Sequence, residues 1–297
     1  MKKKPINKKL IAIVGATASG KSNLAKKLIK KFNGVAISAD SRQIYRYMDI
    51  GTGKDKSFFQ HMIDIRDPKE DYSVAEYQKE VYKIIDKIFG SGEIPFLVGG
   101  TGLYLNAVLY GYQFPKTDPS LRAKIEKLNI NELFQELKKY DPVSAEKNKT
   151  NHRRLARALE SYLVNSRPLS KYKKKKPLFD YLIIGIDIPR EELYKKIDER
   201  VDDRIKKGMI REVENLLKMG ISHERLQRFG LEYREISDYL QNPTDENLKF
   251  KIKNLKFRIH AFARRQLTWF RKNKEIVWVD SYNKAEKLIS KYLTQKM

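Results

Sequence analysis

The feature that most constrains this chain is a glycine loop, GATASGKS at residues 15–22, which directly follows the apolar run LIAIV. The loop fits the pattern G-x-x-x-x-G-K-[ST]. A strand before it and an amphipathic helix after it are the context this motif needs, because backbone N–H groups and the helix N-terminus then surround a phosphate. The sequence therefore predicts a phosphate-binding loop with Lys21 on terminal phosphate oxygens and Ser22 on Mg²⁺. Its members are Gly15, Ala16, Thr17, Ala18, Ser19, Gly20, Lys21 and Ser22.

Five short apolar runs predict the strands of a sheet, at residues 10–14, 35–38, 95–98, 181–188 and 276–279. Amphipathic helical patterns such as NLAKKLIKKF separate them. Continuous apolar strands that alternate with such helices are typical of a parallel sheet covered on both faces. The predicted fold class is α/β, a P-loop-type parallel sheet with flanking helices.

One segment interrupts this alternation, since residues 113–180 show helical patterns only, for example NELFQELKKY. Residues 116–180 hold 17 basic and 8 acidic side chains and include the lysine run KYKKKKP. We interpret residues 113–180 as a basic helical insertion domain. Residues 1–112 and 181–297 then form the catalytic core with its C-terminal helices.

The charge balance points to a polyanionic partner. The chain has 62 Lys and Arg against 37 Asp and Glu, a formal net charge of +25. Such a surplus indicates nucleic acid more often than an anionic membrane, although a lysine-rich proteome produces the same surplus. The sequence has no cysteine, which excludes disulfides and thiolate metal sites. No apolar run is long enough for a secretory signal or a membrane span, so we expect a cytoplasmic protein without a membrane partner.

Polar residues follow two further predicted strands. Asp40 lies in ISADSRQIYRYMDIGTGK after the second strand, and Thr101 lies in GGTGLYLNAVL after the third. Open α/β proteins bind ligands at the carboxyl edge of the sheet, where these strands end. Both residues are therefore candidates to bind a ligand. The alternatives are that Asp40 is an ordinary loop aspartate and that Thr101 only caps its helix.

A basic stretch near the C-terminus has the composition of an RNA-binding surface. Residues 251–274, KIKNLKFRIHAFARRQLTWFRKNK, contain nine Lys or Arg and no acid, with Phe257, Phe262, Trp269 and Phe270 interleaved. RNA loop recognition needs basic groups for phosphates and flat rings for unstacked bases. The alternative is a helix whose aromatic residues belong to the core and whose basic face is solvated.

Several segments in fixed order together resemble the tRNA dimethylallyltransferase family, also called tRNA isopentenyltransferases. They run from VGATASGKS through SADSRQIYRYMDIGTGK, HMID, VGGTGLYLNAVLYG and NHRRLARALE to ARRQLTWFR, nearly the whole chain. The resemblance implies transfer of a dimethylallyl group from dimethylallyl diphosphate to N6 of adenosine 37, beside the tRNA anticodon. The loop would then hold a diphosphate that leaves, with Mg²⁺ as the cofactor.

The resemblance also implies roles for single residues. Asp40 would be the general base that accepts the amine proton, with Thr101 at the substrate pocket and Arg200 on the diphosphate. Arg200 has the ordinary alternative of a solvated helix arginine. We expect a monomer with no obligate protein partner, because tRNA must reach the cleft from several sides. The residues that would contact the anticodon stem-loop, partly through the insertion domain, are Asp40, Ser41, Arg42, Gln43, Thr101, Arg122, Arg153, Arg154, Arg228, Arg234, Arg264, Arg265, Gln266, Trp269 and Arg271.

Three alternatives stay open on the sequence. A nucleoside or nucleotide kinase also carries a phosphate loop on a parallel sheet, and Asp187 would then be a second metal-binding aspartate. A non-catalytic RNA-binding ATPase would bind tRNA without alkylating it. A relative that prenylates free adenine nucleotides would need neither the insertion nor the basic stretch, so these two segments favour tRNA as the acceptor.

Overall fold

The computed structural model describes residues 8–172 and 179–295, which divide into two compact units. The larger unit contains residues 8–109 and 179–295, and the smaller unit contains residues 110–172. Most of the lysine run KYKKKKP lies outside the described residues. Among the described residues, no helix is both long and apolar enough to span a membrane.

The larger unit is built on a six-stranded sheet in which all paired strands are parallel. Its strands are β1 (Lys9–Val14), β2 (Gly34–Ser38), β3 (Gln60–His61), β4 (Ile94–Gly99), β5 (Asp180–Ile186) and β6 (Ile276–Val279). Their order in the sheet is β3-β2-β4-β1-β5-β6. The parallel α/β fold is confirmed, as are the five strands predicted from apolar runs. The short edge strand β3 was missed because two polar residues carry no apolar pattern.

Helices occupy most of the remaining described chain. In chain order they are α1 (Lys21–Lys31), α2 (Val74–Ser91), α3 (Gly102–Leu109), α4 (Pro119–Ile125), α5 (Ile130–Tyr140), α6 (Pro142–Asn148), α7 (His152–Asn165), α8 (Arg190–Lys206), α9 (Met209–Lys218), α10 (His223–Phe229), α11 (Leu231–Leu240), α12 (Asp245–Arg271) and α13 (Tyr282–Thr294). The four helices α4 to α7 belong to the smaller unit, followed by a 3₁₀ turn at Leu169–Lys171.

The core explains why the central strands read as unbroken apolar runs. Ile11 and Ile13 of β1 pack in one cluster with Leu28 of α1 and Ile289 of α13. Leu10, which points to the opposite face because side chains alternate along a strand, is also fully buried. Both faces of the sheet are therefore covered, and only its edges and strand ends are free to carry polar function.

The smaller unit has its own apolar core. Leu133 and Leu137 of α5 pack with Leu155 and Leu159 of α7, and all four are buried. This cluster makes the four helices a compact body in its own right.

Candidate active site

Residues 15–22 leave β1 at the carboxyl edge of the sheet and turn directly into α1. The turn places Gly20 in the left-handed region, with φ 88°, and Ala18 as well, with φ 61°. A Cβ on Gly15 would lie 2.9 Å from the Ser19 hydroxyl, so glycine at this position lets the loop close over itself.

Two side chains of this loop, those of Ser19 and Lys21, are placed to bind an anion. The Ser19 hydroxyl is buried and has no hydrogen-bond partner among the described residues. Lys21 Nζ donates a hydrogen bond to the Ala16 carbonyl at 2.5 Å, within the loop. Burial and the nearby charge of Arg200 lower the pKa of Lys21 to about 8, although Asp40 acts in the opposite direction. A phosphate would accept from the free hydroxyl and favour the charged form of the lysine.

Arg200 and Asp40 complete a charged cluster around the loop. Arg200, on α8, lies with Nη1 3.4 Å from the Thr17 hydroxyl. Burial and the neighbouring Arg204 lower the pKa of Arg200 to about 10, while Asp40 raises it. Because Asp40 influences both Lys21 and Arg200, the structure brings these three predicted site residues together from three separate parts of the chain.

Backbone hydrogen bonds fix the rim on which Asp40 lies. Asp40 Oδ1 accepts from the Arg42 N–H at 2.8 Å, and Thr101 Oγ1 accepts from the Ser41 N–H at 3.1 Å. The Thr101 N–H in turn donates to the Ala39 carbonyl at 3.1 Å. The loops after β2 and β4 are thus joined, which orients both the carboxylate and the threonine.

A cavity of about 750 Å³ opens beside the phosphate loop. Six basic side chains and three aspartates line it, so it suits an anionic ligand. Gly53 forms part of its wall, and a Cβ there would lie 1.9 Å from Arg200 Nη2. Arg204, another wall residue, forms a buried ion pair with Glu232 of α11. Sequence reasoning missed Arg204 and Glu232, since a helical Arg and a helical Glu carry no motif.

A carboxylate far along the chain holds the loop that carries Gly53. Glu212 of α9 accepts the backbone N–H groups of Asp49 at 2.8 Å, Ile50 at 2.7 Å and Gly51 at 3.0 Å. Three such bonds fix the turn against which Arg200 rests. Nothing in the sequence connects Glu212 with this turn, because about 160 residues separate them.

Gln266, which is predicted to contact tRNA, contacts the phosphate loop inside the protein, and its tRNA contact stays a prediction. Gln266 is 9% exposed, and both ends of its amide are used inside the protein. Its Oε1 accepts from the Thr17 N–H at 2.8 Å, and its Nε2 donates to the Gly100 carbonyl at 2.9 Å. Gln266 therefore braces the phosphate loop against the loop after β4.

Two other predicted tRNA contacts are also engaged internally. Gln43 accepts from the Ser38 hydroxyl at 3.0 Å. Arg122, in the smaller unit, donates through Nε at 2.8 Å and Nη2 at 2.6 Å to Glu160, which is fully buried. By contrast, Arg153 and Arg154 are exposed at the start of α7. Within the smaller unit, these two arginines are the most exposed of the predicted contacts, while Arg122 keeps 37% of its side chain exposed beside its ion pair.

Three predicted arginines cluster around the end of α10. Arg42 lies 5.6 Å from the Phe229 ring centroid and donates to the Arg228 carbonyl at 3.1 Å. Arg228 forms an exposed ion pair with Glu224 at 2.7 Å, and Arg234 donates to a carbonyl of the same helix. These groups form one basic surface beside the rim.

The C-terminal half of α12 contributes the remaining predicted contacts. Trp269 is 47% exposed, and its indole Nε1 would lie 2.2 Å from a Cβ on Gly102, next to the rim. Arg264 and Arg265 are exposed. Asp187, the alternative kinase aspartate, lies 3.7 Å from Arg271 and is not among the residues that line the 750 Å³ cavity.

Fold and site together define an α/β protein in which a glycine loop of the phosphate-binding type and a carboxylate lie at the same edge of a parallel sheet. The family model described as IPP transferase matches residues 43–273 of this chain. The chain belongs to the IPP transferase family.

Individual relatives agree with this assignment over nearly the whole chain. The tRNA dimethylallyltransferase of Carboxydothermus hydrogenoformans is 43% identical over 98% of this chain and 98% of its own length. That of Acetivibrio thermocellus is 40% identical over 94% of this chain and 95% of its own length.

Solved structures show the same fold. The tRNA isopentenylpyrophosphate transferase of Bacillus halodurans superimposes with a TM-score of 0.71 at 35% identity, covering 96% of this chain and 95% of that one. A eukaryotic dimethylallyltransferase acting on tRNA has a TM-score of 0.85 at 24% identity, covering 97% and 80%, and supports the fold alone.

Proposed function

We propose that this chain transfers the dimethylallyl group of dimethylallyl diphosphate to N6 of adenosine 37 in tRNA and releases diphosphate. As a member of the IPP transferase family it is a prenyl transferase that modifies tRNA. The observation that carries the proposal is the meeting at one sheet edge of the loop of residues 15–22, of Arg200, whose Nη1 lies 3.4 Å from the Thr17 hydroxyl, and of Asp40, whose charge acts on both Lys21 and Arg200. A base close to an anion cradle suits a reaction in which one substrate loses a proton and the other loses diphosphate.

The donor half of the reaction needs stabilisation of a leaving anion. Breaking the allylic C1–O bond leaves its electron pair on the diphosphate, where negative charge builds up. Lys21, Arg200 and the backbone N–H groups of the loop are positioned cations and dipoles that stabilise this charge. The buried hydroxyl of Ser19, which lacks a partner among the described residues, adds a further donor for the diphosphate.

The acceptor half needs a base. The exocyclic amine of adenine attacks C1 with its lone pair, and the N6 proton becomes acidic as the new C–N bond forms. Asp40 accepts that proton. Its Oδ1 accepts from the Arg42 N–H, and Thr101, whose hydroxyl accepts from the adjacent Ser41 N–H, is assigned to the pocket of the flipped base.

Magnesium fits the loop as a partner of the diphosphate. Among the described residues, no group of three or more His, Cys, Asp or Glu side chains could hold a metal ion. Ser22 lines the 750 Å³ cavity and offers one hard oxygen, and Mg²⁺ is commonly held by few protein oxygens together with substrate phosphates and water. Bound there, Mg²⁺ would neutralise the departing diphosphate.

The acceptor tRNA would be held by exposed basic side chains on both units. In the larger unit these are Arg264, Arg265 and the basic surface beside Arg42, with Trp269 as a flat ring for a base. In the smaller unit they are Arg153 and Arg154.

Mass spectrometry of digested tRNA tests the proposal. A tRNA pool is incubated with the protein, Mg²⁺ and dimethylallyl diphosphate, and we expect a dimethylallylated adenosine that forms only when all components are present. Replacing tRNA with AMP in the same assay should abolish the product. Modification of AMP in preference to tRNA would instead identify a nucleotide prenyltransferase, and ADP formed from ATP and a nucleoside would identify a kinase.

A further inference from the structure

The larger unit contains a second, smaller cavity of about 240 Å³. One side comes from the N-terminal end of α8, with Arg190 and Tyr194. The other comes from α12, where Arg264 and Arg271 lie seven residues apart and therefore on one face of the helix. No acidic side chain is among the described residues that line this cavity. We name these four residues the arginine pocket.

The Tyr194 hydroxyl accepts hydrogen bonds from two of the guanidinium groups. Tyr194 accepts a hydrogen bond from Arg190 Nε at 3.1 Å and from Arg264 Nη1 at 2.7 Å. The Arg190 guanidinium also lies 5.2 Å from the centroid of the Tyr194 ring. Burial alone would raise the pKa of the Tyr194 hydroxyl, but the two arginines outweigh it and lower that pKa.

The tyrosine is itself held from behind. Its ring stacks on His260 of α12, with centroids 4.1 Å apart and planes within 3° of parallel. His260 Nε2 lies 2.9 Å from Asp198 of α8, and both atoms are buried. The stacked histidine and the two arginines thus restrict the orientation of the Tyr194 ring and hydroxyl.

The arginines of the pocket have N–H donors that Tyr194 does not use. Arg190 and Arg264 lie within ion-pair distance of no carboxylate in residues 8–172 and 179–295, and Arg271 lies 3.7 Å from Asp187. Each guanidinium carries five N–H donors in a planar fork, of which the tyrosine uses one from Arg190 and one from Arg264. Such forks match the oxygens of a phosphate.

We propose that the arginine pocket binds a backbone phosphate of RNA, apart from the phosphate loop where the reaction takes place. This inference rests on the proposed tRNA substrate and adds Arg190 and Tyr194 to its contacts. A polyanion fits better than a free anion, because the arginines are exposed, Arg271 to 62% of its side chain. Exposed cations hold a single phosphate weakly, and gain affinity when that phosphate belongs to a chain held at several points.

The decisive experiment measures tRNA binding by Arg190→Ala over a range of salt concentrations. We expect about fivefold weaker binding at low salt and a slope of log K against log salt that is smaller by about 0.7 to 0.9, the loss of one phosphate contact. Binding of dimethylallyl diphosphate should stay unchanged. Arg211→Ala is the matched control, because Arg211 is an exposed arginine on another helix, and it should leave affinity and slope as in the wild type.

Tyr194→Phe keeps the ring that stacks on His260 and removes only the hydroxyl that gathers the arginines. We expect a smaller loss of tRNA affinity than in Arg190→Ala, with an unchanged melting temperature. An unchanged salt slope in Arg190→Ala, or a loss of inorganic phosphate binding without a loss of tRNA binding, would overturn the proposal. Wild-type protein that binds tRNA with the expected salt slope but forms no alkylated product would refute the proposed reaction and leave the pocket intact.

Discussion

Replacing Gln266 with leucine should affect diphosphate binding and tRNA binding differently. Gln266 lies on α12 among the predicted tRNA contacts, but its side chain bonds to the phosphate loop. Leucine has a similar volume, so packing is nearly kept while both hydrogen bonds are lost. The Gly100 carbonyl, which is buried, and the Thr17 N–H, which is partly buried, would both lose their partner. An unsatisfied buried group costs about 1–3 kcal/mol.

We expect about 2 kcal/mol of this cost to appear as poorer positioning of the loop, which corresponds to roughly 30-fold weaker diphosphate binding at about 1.4 kcal/mol per tenfold. Calorimetric titration with inorganic diphosphate and a gel-shift titration with tRNA measure the two affinities separately. tRNA affinity should stay unchanged. Arg265→Ala, one residue earlier and exposed, should give the reverse pattern. If Gln266→Leu weakens tRNA binding and leaves diphosphate binding intact, the brace assigned to Gln266 is wrong.

Three further outcomes follow from the site. Asp40→Asn keeps an oxygen for the Arg42 N–H but removes the base, so single-turnover rates should fall by about 10²- to 10⁴-fold while tRNA still binds, and an unchanged rate would exclude Asp40 as the base. Because the pKa of Lys21 is about 8 and a bound anion favours its charged form, diphosphate affinity should fall as the pH rises above 8. Lys21→Arg, charged throughout, should abolish that fall, and a fall that persists would assign it to another group. Gly53→Ala brings a methyl group to 1.9 Å from Arg200 Nη2 and must displace that guanidinium, so the KM for the donor should rise while tRNA affinity holds; an unaltered KM would show that donor binding does not depend on the present position of Arg200.

The sequence predicted the features that depend on residues close together in the chain. The phosphate loop, the apolar strands and the helical patterns each depend on residues within one element or its neighbours, and the structure has them where the patterns lie. The juxtaposition of Asp40 with the loop could also be expected, because parallel strands deliver their ends to one edge. Cytoplasmic location and the monomeric state stay predictions.

What the sequence could not predict depends on contacts between distant residues. Gln266 and Arg122 lie in basic segments and are predicted from the sequence to be at the surface. In the structure the Gln266 amide bonds to the Thr17 N–H of the phosphate loop, and Arg122 bonds to the buried Glu160. Glu212 likewise anchors a turn far away in the chain. Which face of a helix meets which loop follows from packing, and a stretch such as ARRQLTWFR places neighbouring residues on opposite faces.

A crystal structure with dimethylallyl S-thiolodiphosphate, a donor analogue whose C–S bond resists cleavage, tests the central claim directly. We predict its diphosphate on Lys21, Arg200 and the loop of residues 15–22, with the dimethylallyl carbon directed towards Asp40. A diphosphate bound outside that loop, with its allylic carbon remote from Asp40, would contradict the account.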